Sequence, residues 1–507
     1  MRLHPTPLAA PVLQPRPRPG APLGPLLEAI VPAPGVASLL VDLAAPDLAL
    51  VTTGQQAGLF TGPLYTIHKA LSAAALASEL SRRWNRTVRP LFWIAGDDHD
   101  FAEAASTSWV TPDGSLHCVE LEPRPPEAPM LPMYREPLGP PIEALLESFL
   151  NGIPEAPHRD HVCGWLSRHY RPGTTIAGAY AGALAELLAP FGVACLDSTH
   201  PAFKRAAAPF ILKALAATDP LDLALSDVAA RYAEAGEAAP VVVGEGASLV
   251  FLEDRLGRDR LVRKDGGFIT RRGNDSYSLE QLTAVALAEP ERLSASVLLR
   301  PVLESAMLPT VAYVGGPGEL RYLGMTAPVY QQLDTWTQLP VPRWSGVIVE
   351  PHVDRILAKF GTTVDEVIRD AEALEQRLIR AQLPESVSHG LVELDRMVGS
   401  ILDRIGPAAL EIDPTLSGPI ANSRRRMDWA RQDLEVRILR RLRVRESVDL
   451  AQLRRVRGTI HPGGNPQERV LTVAPFLALH GPQLLTAILE EAQAWYAAAL
   501  EGPPPPA

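Results

Sequence analysis

Cysteine is scarce in this sequence. Only three occur among 507 residues, Cys118, Cys163 and Cys195, and no two of them form a Cys-x-x-Cys pair. Because disulfide frameworks and cysteine-ligated zinc sites need clustered cysteines, we expect neither a disulfide scaffold nor bound zinc. A reducing, cytoplasmic setting fits this composition.

Long uncharged hydrophobic runs are also absent. No stretch reaches the length that spans a membrane without carrying charge. Closely spaced prolines near the N-terminus interrupt any apolar targeting segment. We therefore expect a soluble, unprocessed protein with no membrane partner.

A surplus of positive charge is lacking as well. The chain has 48 Lys+Arg against 58 Asp+Glu, a net charge of -10. Broad, sequence-independent nucleic-acid binding needs the opposite balance. We therefore expect no nucleic-acid partner and favour small-molecule chemistry.

The length and the hydrophobic content of 46% allow more than one core. Composition shifts along the chain predict four parts, with the core interrupted twice. They are a proline-rich N-terminal arm (1–45), a catalytic core (46–350) with insertions near 113–170 and 235–295, an α-helical arm (351–457), and a C-terminal segment that packs back on the core (458–507).

The start of the predicted core has the pattern of a βαβ unit. An apolar run at 48–52 predicts a buried strand, 67–83 has helical spacing, and 88–96 predicts a second buried strand. A strand, helix and strand in this order imply a doubly wound parallel sheet. Ligands of such sheets bind beyond the carboxyl ends of the strands, so the loops that follow the strands are candidate sites.

The loop after the first strand is rich in glycine and small donors. Its backbone N–H groups, together with the dipole of the next helix, suit a phosphate. His68 and Lys69 in that helix can neutralise phosphoryl charge. Glycines that only permit tight turns would give the same pattern. The candidate nucleotide- or substrate-binding residues here are Thr53, Gly54, Gln55, Gln56, Gly58, Thr61, Gly62 and Tyr65.

The second strand runs into an acidic turn, Asp97-Asp98-His99-Asp100. We predict that these four residues bind an ammonium group or hydroxyls, and that one of them acts as a base for an amine. Three carboxylates beside a histidine can also bind a hard cation, whereas a solvated loop or a helix N-cap gives the same string without function. We expect no dedicated metal site here.

Further candidates lie later in the chain. A glycine-rich loop follows the apolar strand at 310–314 and ends in Glu319, which can hold an amine or a ribose. Arg343 supplies a cation after the next segment. A polar stretch near 465 either reaches back as a second ligand site or caps a helix. The residues are Gly315, Gly316, Gly318, Glu319 and Arg343, and then Asn465, Gln467 and Arg469.

From residue 353 onward the pattern is that of long charged helices. Apolar residues recur at steps of three and four over 364–378 and again over 391–405, which predicts a helical hairpin broken at Pro384. A third helix is expected at 423–445. The seam predicts an antiparallel coiled coil and a homodimer formed through it. Basic stretches on this arm indicate solvated faces or, alternatively, RNA contact.

Two resemblances add to these patterns. The stretch from Gly62 to Leu71 resembles the first signature of class I aminoacyl-tRNA synthetases, with His68 at its second histidine and Tyr65 at its first. A fuller resemblance is to the bacillithiol synthase (BshC) family of cysteine-adding ligases. It is carried by Thr53-Gly54-Gln55-Gln56, Thr61-Gly62-Pro63-Leu64-Tyr65, Phe92-Trp93-Ile94-Ala95-Gly96, Leu299-Arg300-Pro301, Leu308-Pro309-Thr310, Tyr313-Val314-Gly315-Gly316-Pro317-Gly318-Glu319 and Gly464-Asn465-Pro466-Gln467-Glu468-Arg469.

This resemblance implies a Rossmann-like, nucleotidyltransferase-type core and an enzyme that joins L-cysteine to the amino group of glucosaminyl malate. ATP, arriving with Mg²⁺, would activate the cysteine carboxyl group, as an adenylate or an acyl phosphate. The alternative is a divergent tRNA synthetase-like or RNA-interacting nucleotide-binding protein that uses the basic arm.

Overall fold

The computed structural model describes residues 1–6, 8 and 13–501. Parts of the predicted N-terminal arm (7 and 9–12) and the proline-rich tail (502–507) lie outside these residues. The strands are β1 (Arg2–Pro5), β2 (Ala49–Gln56), β3 (Val88–Ala95), β4 (Ser106–Val110), β5 (Leu116–Glu120), β6 (Ala194–Asp197), β7 (Ala247–Asp254), β8 (Gly257–Lys264), β9 (Gly267–Thr270), β10 (Ser276–Tyr277), β11 (Leu293–Ala295), β12 (Thr310–Gly315), β13 (Leu339–Pro342) and β14 (Gly346–Val349).

Helices precede, separate and follow these strands. Up to residue 350 they are α1 (Val36–Leu43), α2 (Tyr65–Trp84), α3 (Phe101–Ala104), α4 (Pro141–Gly152), α5 (Arg159–His169), α6 (Ile176–Leu188), α7 (Pro201–Ala216), α8 (Thr218–Glu234), α9 (Leu279–Ala288), α10 (Arg300–Met307), α11 (Pro317–Leu323) and α12 (Ala327–Gln332). Beyond it they are α13 (Pro351–Lys359), α14 (Val364–Arg369), α15 (Ala371–Ala381), α16 (Glu385–Ile412), α17 (Ser417–Arg445), α18 (Ser447–Ile460), α19 (Gln467–Val470), α20 (Ala474–His480) and α21 (Gln483–Glu501).

A parallel five-stranded sheet forms the centre of the core, in the order β13-β12-β2-β3-β6. Most residues of its strands are buried because both faces are covered. Val51 and Phe92 belong to the cluster that contains α2. Leu50 and Trp93 belong to the cluster on the other face, which contains α7. The predicted doubly wound parallel fold is confirmed.

Two element boundaries in the first βαβ unit differ from the prediction. Strand β2 continues to Gln56, because it pairs with β3 along its whole length as far as the Gln56–Ala95 pair. The residues Thr53 to Gln56 are therefore strand and not loop. Helix α2 begins at Tyr65, two residues earlier than predicted.

The second insertion is a separate antiparallel sheet, in the order β10-β9-β8-β7-β11. We call it the insert sheet. Strands β8 and β9 join through Asp265 and Gly266, whose φ angles are 48° and 79°. Positive φ at both central residues is what a tight two-residue hairpin requires, and Asp-Gly supplies it at low cost.

The predicted N-terminal arm contains regular structure. Strand β1 pairs antiparallel with β14, and α1 lies within the same arm. The edge of β14 offers unpaired backbone groups, and β1 satisfies them.

In the helical arm, the hairpin is formed by a different pair of helices from the predicted one. Helices α16 and α17 run antiparallel, since Asp403 pairs with Arg424 and Asp395 with Arg431. The residues of 364–378 belong to α14 and α15, and they bury their apolar side chains with α18. The expected seam between 364–378 and 391–405 is therefore wrong. Packing against α18 fixes α14 and α15 beside the core.

The C-terminal helix α21 lies against α2, and Tyr496 of α21 donates a hydrogen bond to the Pro342 carbonyl at 2.8 Å. Among the described residues, no helix combines the length and the apolar character needed to cross a membrane.

Candidate active site

A cavity of about 560 Å³ opens at the carboxyl edge of the parallel sheet. This is within the usual size range of small-molecule sites. The predicted residues that line it are Gly54, Gln55, Gln56, Tyr65, Lys69, Asp97, Asp98, Gly316, Gly318, Glu319, Arg343 and Arg469. The predicted residues that do not line it are Thr53, Gly58, Thr61, Gly62, His68, His99, Asp100, Gly315, Asn465 and Gln467.

Lys69 is a buried cation that ties two loops together. Its ammonium group donates to the Gly54 carbonyl, to Gln55 Oε1 at 3.1 Å and to Glu319 Oε2 at 2.6 Å. Burial lowers the pKa of Lys69, and the Glu319 carboxylate opposes that change. Burial would raise the pKa of Glu319, but Lys69, the Gly316 N–H and the Tyr313 hydroxyl together lower it. The pair joins the ends of β2 and β12 at the cavity.

A second ionic group lies next to this pair, and the sequence prediction missed it as a site. Arg300 pairs with Glu304 at 2.8 Å, and its guanidinium lies 4.8 Å from the centroid of the Tyr313 ring. Tyr313 in turn donates to Glu319 Oε1 at 2.6 Å. Burial raises the pKa of Glu304 to about 7, against the attraction of Arg300. The stretch Leu299-Arg300-Pro301 had been noted only for the family resemblance.

His68 lies behind the cavity instead of in it. Successive side chains of a helix project about 100° apart, so His68 and Lys69 lie on different faces of α2. Only Lys69 faces the cavity. The buried imidazole donates from Nδ1 to Glu468 Oε2 at 2.8 Å and packs edge-on against Trp344. Burial lowers the pKa of His68, and its bond with the Glu468 carboxylate opposes that change. The predicted phosphate contact by His68 does not agree with this geometry.

Glu468 links His68 to the cavity wall. Both of its oxygens accept from Arg343, one of them at 2.7 Å. Burial would raise the pKa of Glu468, but its bonds with His68 and Arg343 outweigh burial and bring the pKa to about 2. The next residue, Arg469, lines the cavity. The C-terminal segment therefore completes the site from a position about 400 residues away from α2 in sequence.

The other predicted C-terminal residues have structural places. Gln467 is buried, and its side chain exchanges hydrogen bonds with the backbone N–H and carbonyl of Ile348 at 2.8 and 3.1 Å. Asn465 is exposed and bonds locally to the Gly463 carbonyl. Gln467 thus docks the segment on β14, and only Arg469 reaches the cavity.

The acidic turn divides into two halves. Asp97 accepts from Lys204 at 2.7 Å, and Asp98 accepts from the backbone N–H groups of His99 and Asp100. Both carboxylates line the cavity. Asp100 instead caps α3, which is the structural alternative that the sequence left open.

His99 does not line the cavity, but it contacts a residue that does, since its Nδ1 accepts from Arg258 at 3.0 Å. Within the described part of the chain, no three His, Cys, Asp or Glu side chains are placed to share a metal ion.

The glycine loop after β2 does not cradle a ligand with Gly58 to Gly62. This segment is a buried short helix around Leu59–Thr61, fixed by Tyr170, which donates to the Gly58 carbonyl and accepts from the Thr61 N–H at 2.8 Å. Because β2 extends to Gln56, the loop that follows it begins beyond the edge of the sheet. Gly58 to Thr61 are therefore buried in the core.

Three other predicted residues serve the sheet. A Cβ atom on Gly54 would lie 2.8 Å from the Trp93 carbonyl, so glycine permits close strand approach there. The Thr53 hydroxyl donates to the Val314 carbonyl at 2.7 Å, across to β12. Gly315 is the buried last residue of β12.

Several lining residues come from segments that sequence reasoning did not connect with the site. They are Lys204 of α7 and Arg258 and Arg260 of the insert sheet, together with the apolar Phe203 and Phe251. Nothing local in the sequence marks them, because only the folding of α7 and the insert sheet brings them to the edge.

Positive charge predominates in the cavity, unlike in the whole chain. The basic lining residues are Lys69, Lys204, Arg258, Arg260, Arg300, Arg343 and Arg469, and the acidic ones are Asp97, Asp98, Glu103 and Glu319. A basic surplus in a partly enclosed cavity attracts anionic ligands. The fold and the site thus define a Rossmann-like α/β protein with a helical arm and a cavity for anionic small molecules.

Comparison with known proteins assigns the family. Residues 32–344 match the model described as "Bacillithiol biosynthesis BshC, N-terminal Rossmann-like domain". Residues 346–495 match "Bacillithiol biosynthesis BshC, C-terminal coiled-coil domain". The chain belongs to the bacillithiol biosynthesis BshC family, as the sequence resemblance predicted.

Relatives in this family are similar over most of the chain. One from Solibacter usitatus is 32% identical over 446 residues, covering 88% of this chain and 82% of the relative. One from Prosthecochloris aestuarii is 30% identical, covering 88% and 81%. One from Staphylococcus carnosus is 27% identical, covering 88% and 83%. Each bears the name "Putative cysteine ligase BshC".

Proposed function

We propose that this protein is a ligase that joins L-cysteine to the amino group of glucosaminyl malate, using ATP with Mg²⁺ to activate the cysteine carboxyl group. The observation that carries the proposal is the cavity at the carboxyl edge of the sheet, where a basic surplus meets the carboxylates of Asp97 and Asp98. The names of the relatives support the same reaction class.

The cations on the β12 and β13 side suit the triphosphate. Lys69 is fixed by Glu319, and Arg343 is fixed by Glu468, so both are held in place before a ligand arrives. Preorganised cations stabilise developing negative charge without reorganisation. Gly316 and Gly318, at the start of α11, leave room for a nucleotide to approach the backbone closely. These residues fit a nucleotide.

The carboxylates on the β3 side suit the amine. Asp97 and Asp98 line the cavity and can bind the ammonium form of the acceptor. An amine must lose a proton to attack, and a carboxylate at hydrogen-bonding distance can accept it. The cysteine carboxylate oxygen attacks ATP and takes up AMP with release of pyrophosphate, or a phosphoryl group with release of ADP, which turns a poor leaving group into a good one. Attack by the amine nitrogen then forms the amide bond and expels AMP or phosphate.

We further propose that the protein is a homodimer joined through α16 and α17. Apolar side chains on both helices are exposed in the single chain, among them Ile401, Ile405 and Trp429. A second copy of the hairpin would bury them, as coiled-coil seams do.

The RNA-interacting alternative has less support. Two arginines of the basic stretches that suggested it form ion pairs on the arm, Arg424 with Asp403 and Arg445 with Glu446. Paired guanidinium groups are less free to contact phosphates. These pairs support the reading of solvated, ion-paired helix faces.

The deciding experiment combines purified protein, ATP, L-cysteine and glucosaminyl malate. We expect cysteine-dependent ATP consumption and a mass-spectrometric product of the amide. Asp98→Asn should abolish most turnover, whereas Asp100→Asn should retain it, because asparagine also caps helices well. Absence of product together with tight, salt-sensitive tRNA binding would favour the alternative.

A further inference from the structure

Two arginines of the insert sheet face the cavity side by side. Arg258 and Arg260 are two residues apart on β8, so their side chains leave the same face of the sheet. Arg260 pairs in register with Phe251 of β7. The centroid of the Phe251 ring lies 4.1 Å from Cζ of Arg258 and 5.4 Å from Cζ of Arg260. One aromatic ring therefore supports both guanidinium groups at the cavity wall.

Neither guanidinium has a carboxylate within 4.0 Å in the described part of the chain. Four other cations of the cavity do: Lys69, Lys204, Arg300 and Arg343 pair with Glu319, Asp97, Glu304 and Glu468. Arg258 donates instead to the neutral Ser294 Oγ at 2.9 Å, the Ala295 carbonyl at 2.9 Å and His99 Nδ1 at 3.0 Å. The Asp98 and Asp97 carboxylates act on Arg258 only from beyond ion-pair distance, and their effect on its pKa is smaller than that of burial.

The carboxylate that faces Arg258 in the sheet is engaged elsewhere. Glu253 is the register partner of Arg258 on β7. Its two oxygens accept from Tyr134 at 3.0 Å and from Arg135 at 2.7 Å. These two residues hold Glu253 away from the arginine pair. The positive charge at this wall is therefore built into the fold and is available to a ligand.

Burial makes an anionic ligand favourable here. Arg258 is 8% exposed, and burial lowers its pKa. The pKa of Arg260 is lowered by burial and then by the charges of Arg271 and Arg258. A bound anion would offset both effects. A free guanidinium can hold a carboxylate through two parallel hydrogen bonds, and Arg258 keeps two of its five N–H groups after its bonds to Ser294, His99 and Ala295. A neighbouring pair of arginines therefore matches a dicarboxylate.

Strand order separates this pair from the nucleotide side of the cavity. Gly316, Gly318 and Arg343 follow β12 and β13, whereas Arg258 contacts the turn after β3 through His99. Strands β12 and β3 are two positions apart in the sheet, about 10 Å at the usual strand spacing. The acidic turn that suits the amine is therefore the direct neighbour of the arginine pair.

We propose that Arg258 and Arg260 bind the two carboxylates of the malyl group of the acceptor, and that they select a dicarboxylate-bearing amino sugar over an unsubstituted one. The identity of the acceptor rests on the proposed function. The pair itself fits a dicarboxylate regardless of the reaction that follows.

The first test is direct binding of L-malate to the full-length protein by isothermal titration calorimetry, without ATP or cysteine. Arg260→Gln removes one charged fork and should weaken malate binding about tenfold or more. Arg255→Gln is the matched control, since Arg255 belongs to the same sheet but pairs with Asp275 outside the cavity. It should bind like the wild type. Equal affinity of Arg260→Gln and wild type would overturn the proposal.

The second test is steady-state kinetics of the same variants. In Arg260→Gln the KM for glucosaminyl malate should rise about tenfold or more. The KM for ATP and the rate with glucosamine, which lacks carboxylates, should stay unchanged and show that the variant is folded. A raised KM for ATP with an unchanged KM for glucosaminyl malate would mean a phosphate site and refute the proposal.

The two tests separate this inference from the proposed function. If malate binding depends on Arg260 but no amide product forms with any acceptor, the dicarboxylate site stands and the ligase proposal fails. If amide forms and neither the malate affinity nor the acceptor KM responds to Arg260→Gln, the ligase proposal stands and this inference fails.

Discussion

Charged side chains are buried around the cavity but exposed on the helical arm. Around the cavity, Lys69, Arg343 and Glu468 are at most 6% exposed and are held by fixed partners. On the arm, ion pairs such as Arg424–Asp403 are 40% or more exposed. Burying a paired ion costs several kcal/mol of desolvation, whereas an exposed pair costs and contributes little.

Apolar side chains show the reverse contrast. Leu50 and Phe92 of the parallel sheet are fully buried, while Trp429 and Ile412 of the arm are 67% and 82% exposed. The core thus buries its apolar side chains and its ionic groups, whereas the arm leaves large apolar side chains exposed in the single chain. We expect substitutions in the two regions to have different kinds of effect.

The largest effect should come from Lys69→Met. This change removes a fixed cation and leaves the Glu319 carboxylate buried without its partner. We expect kcat/KM for ligation to fall about a thousandfold, or about 4 kcal/mol of transition-state stabilisation. Lys359→Met on the arm, where Lys359 pairs with Asp449 at the surface, is the control and should stay within about twofold of wild type. Retention of a tenth of the activity in Lys69→Met would contradict the assignment.

The next largest effect should be the loss of stability caused by Glu468→Gln. The pKa of Glu468 is about 2, below its ordinary 4.5, so ionisation stabilises the fold by about 3 kcal/mol at pH 7. Because the pKa is lowered, this contribution is fully present above pH 4.5 and is lost as the pH falls toward 2. Urea unfolding should show the same difference in stability between variant and wild type at pH 7 and pH 5, and a smaller difference at pH 4.

The matched arm variant is Glu375→Gln, which breaks a pair with the exposed Arg454. It should cost about 0.5 kcal/mol or less. An equal cost for the two variants at pH 7 would remove the contrast between buried and exposed pairs.

A smaller, assembly-level effect is expected from Ile401→Glu combined with Trp429→Glu. Both side chains are exposed in the single chain, so the fold should persist while the dimer separates. Sedimentation velocity should show a dimer for wild type and a monomer for the double variant. Val242→Glu changes an exposed apolar residue outside the arm and should leave the dimer intact. A monomeric wild type would end the dimer proposal.

The smallest effect should come from Arg424→Ala. The ion pair with Asp403 is solvent-exposed, and screening by water limits its contribution to about 0.5 kcal/mol or less. Urea unfolding in low and high salt measures it. A cost above 2 kcal/mol would show that the arm relies on its charges as the core does.

The sequence by itself determined the elements and the loops. The apolar run at 48–52, the helix that follows and the turn Asp97-Asp98-His99-Asp100 were enough to predict a parallel sheet with ligand loops at its carboxyl edge. Lys69, Asp97, Asp98 and Glu319, all predicted from residue type and position, do line the cavity. Local periodicity and strand order are short-range properties, and a sequence displays them directly.

Only the tertiary structure decided which side chains share the cavity. His68 and Lys69 are neighbours in sequence but point to different faces of α2, and the docking of Glu468 determined which face is covered. Arg258 and Arg260 reached the site through an insert sheet whose position no local pattern encodes. The arm hairpin consists of α16 and α17, because α14 and α15 are buried against α18. Each of these outcomes depends on long-range packing between segments, which spacing along the chain does not specify.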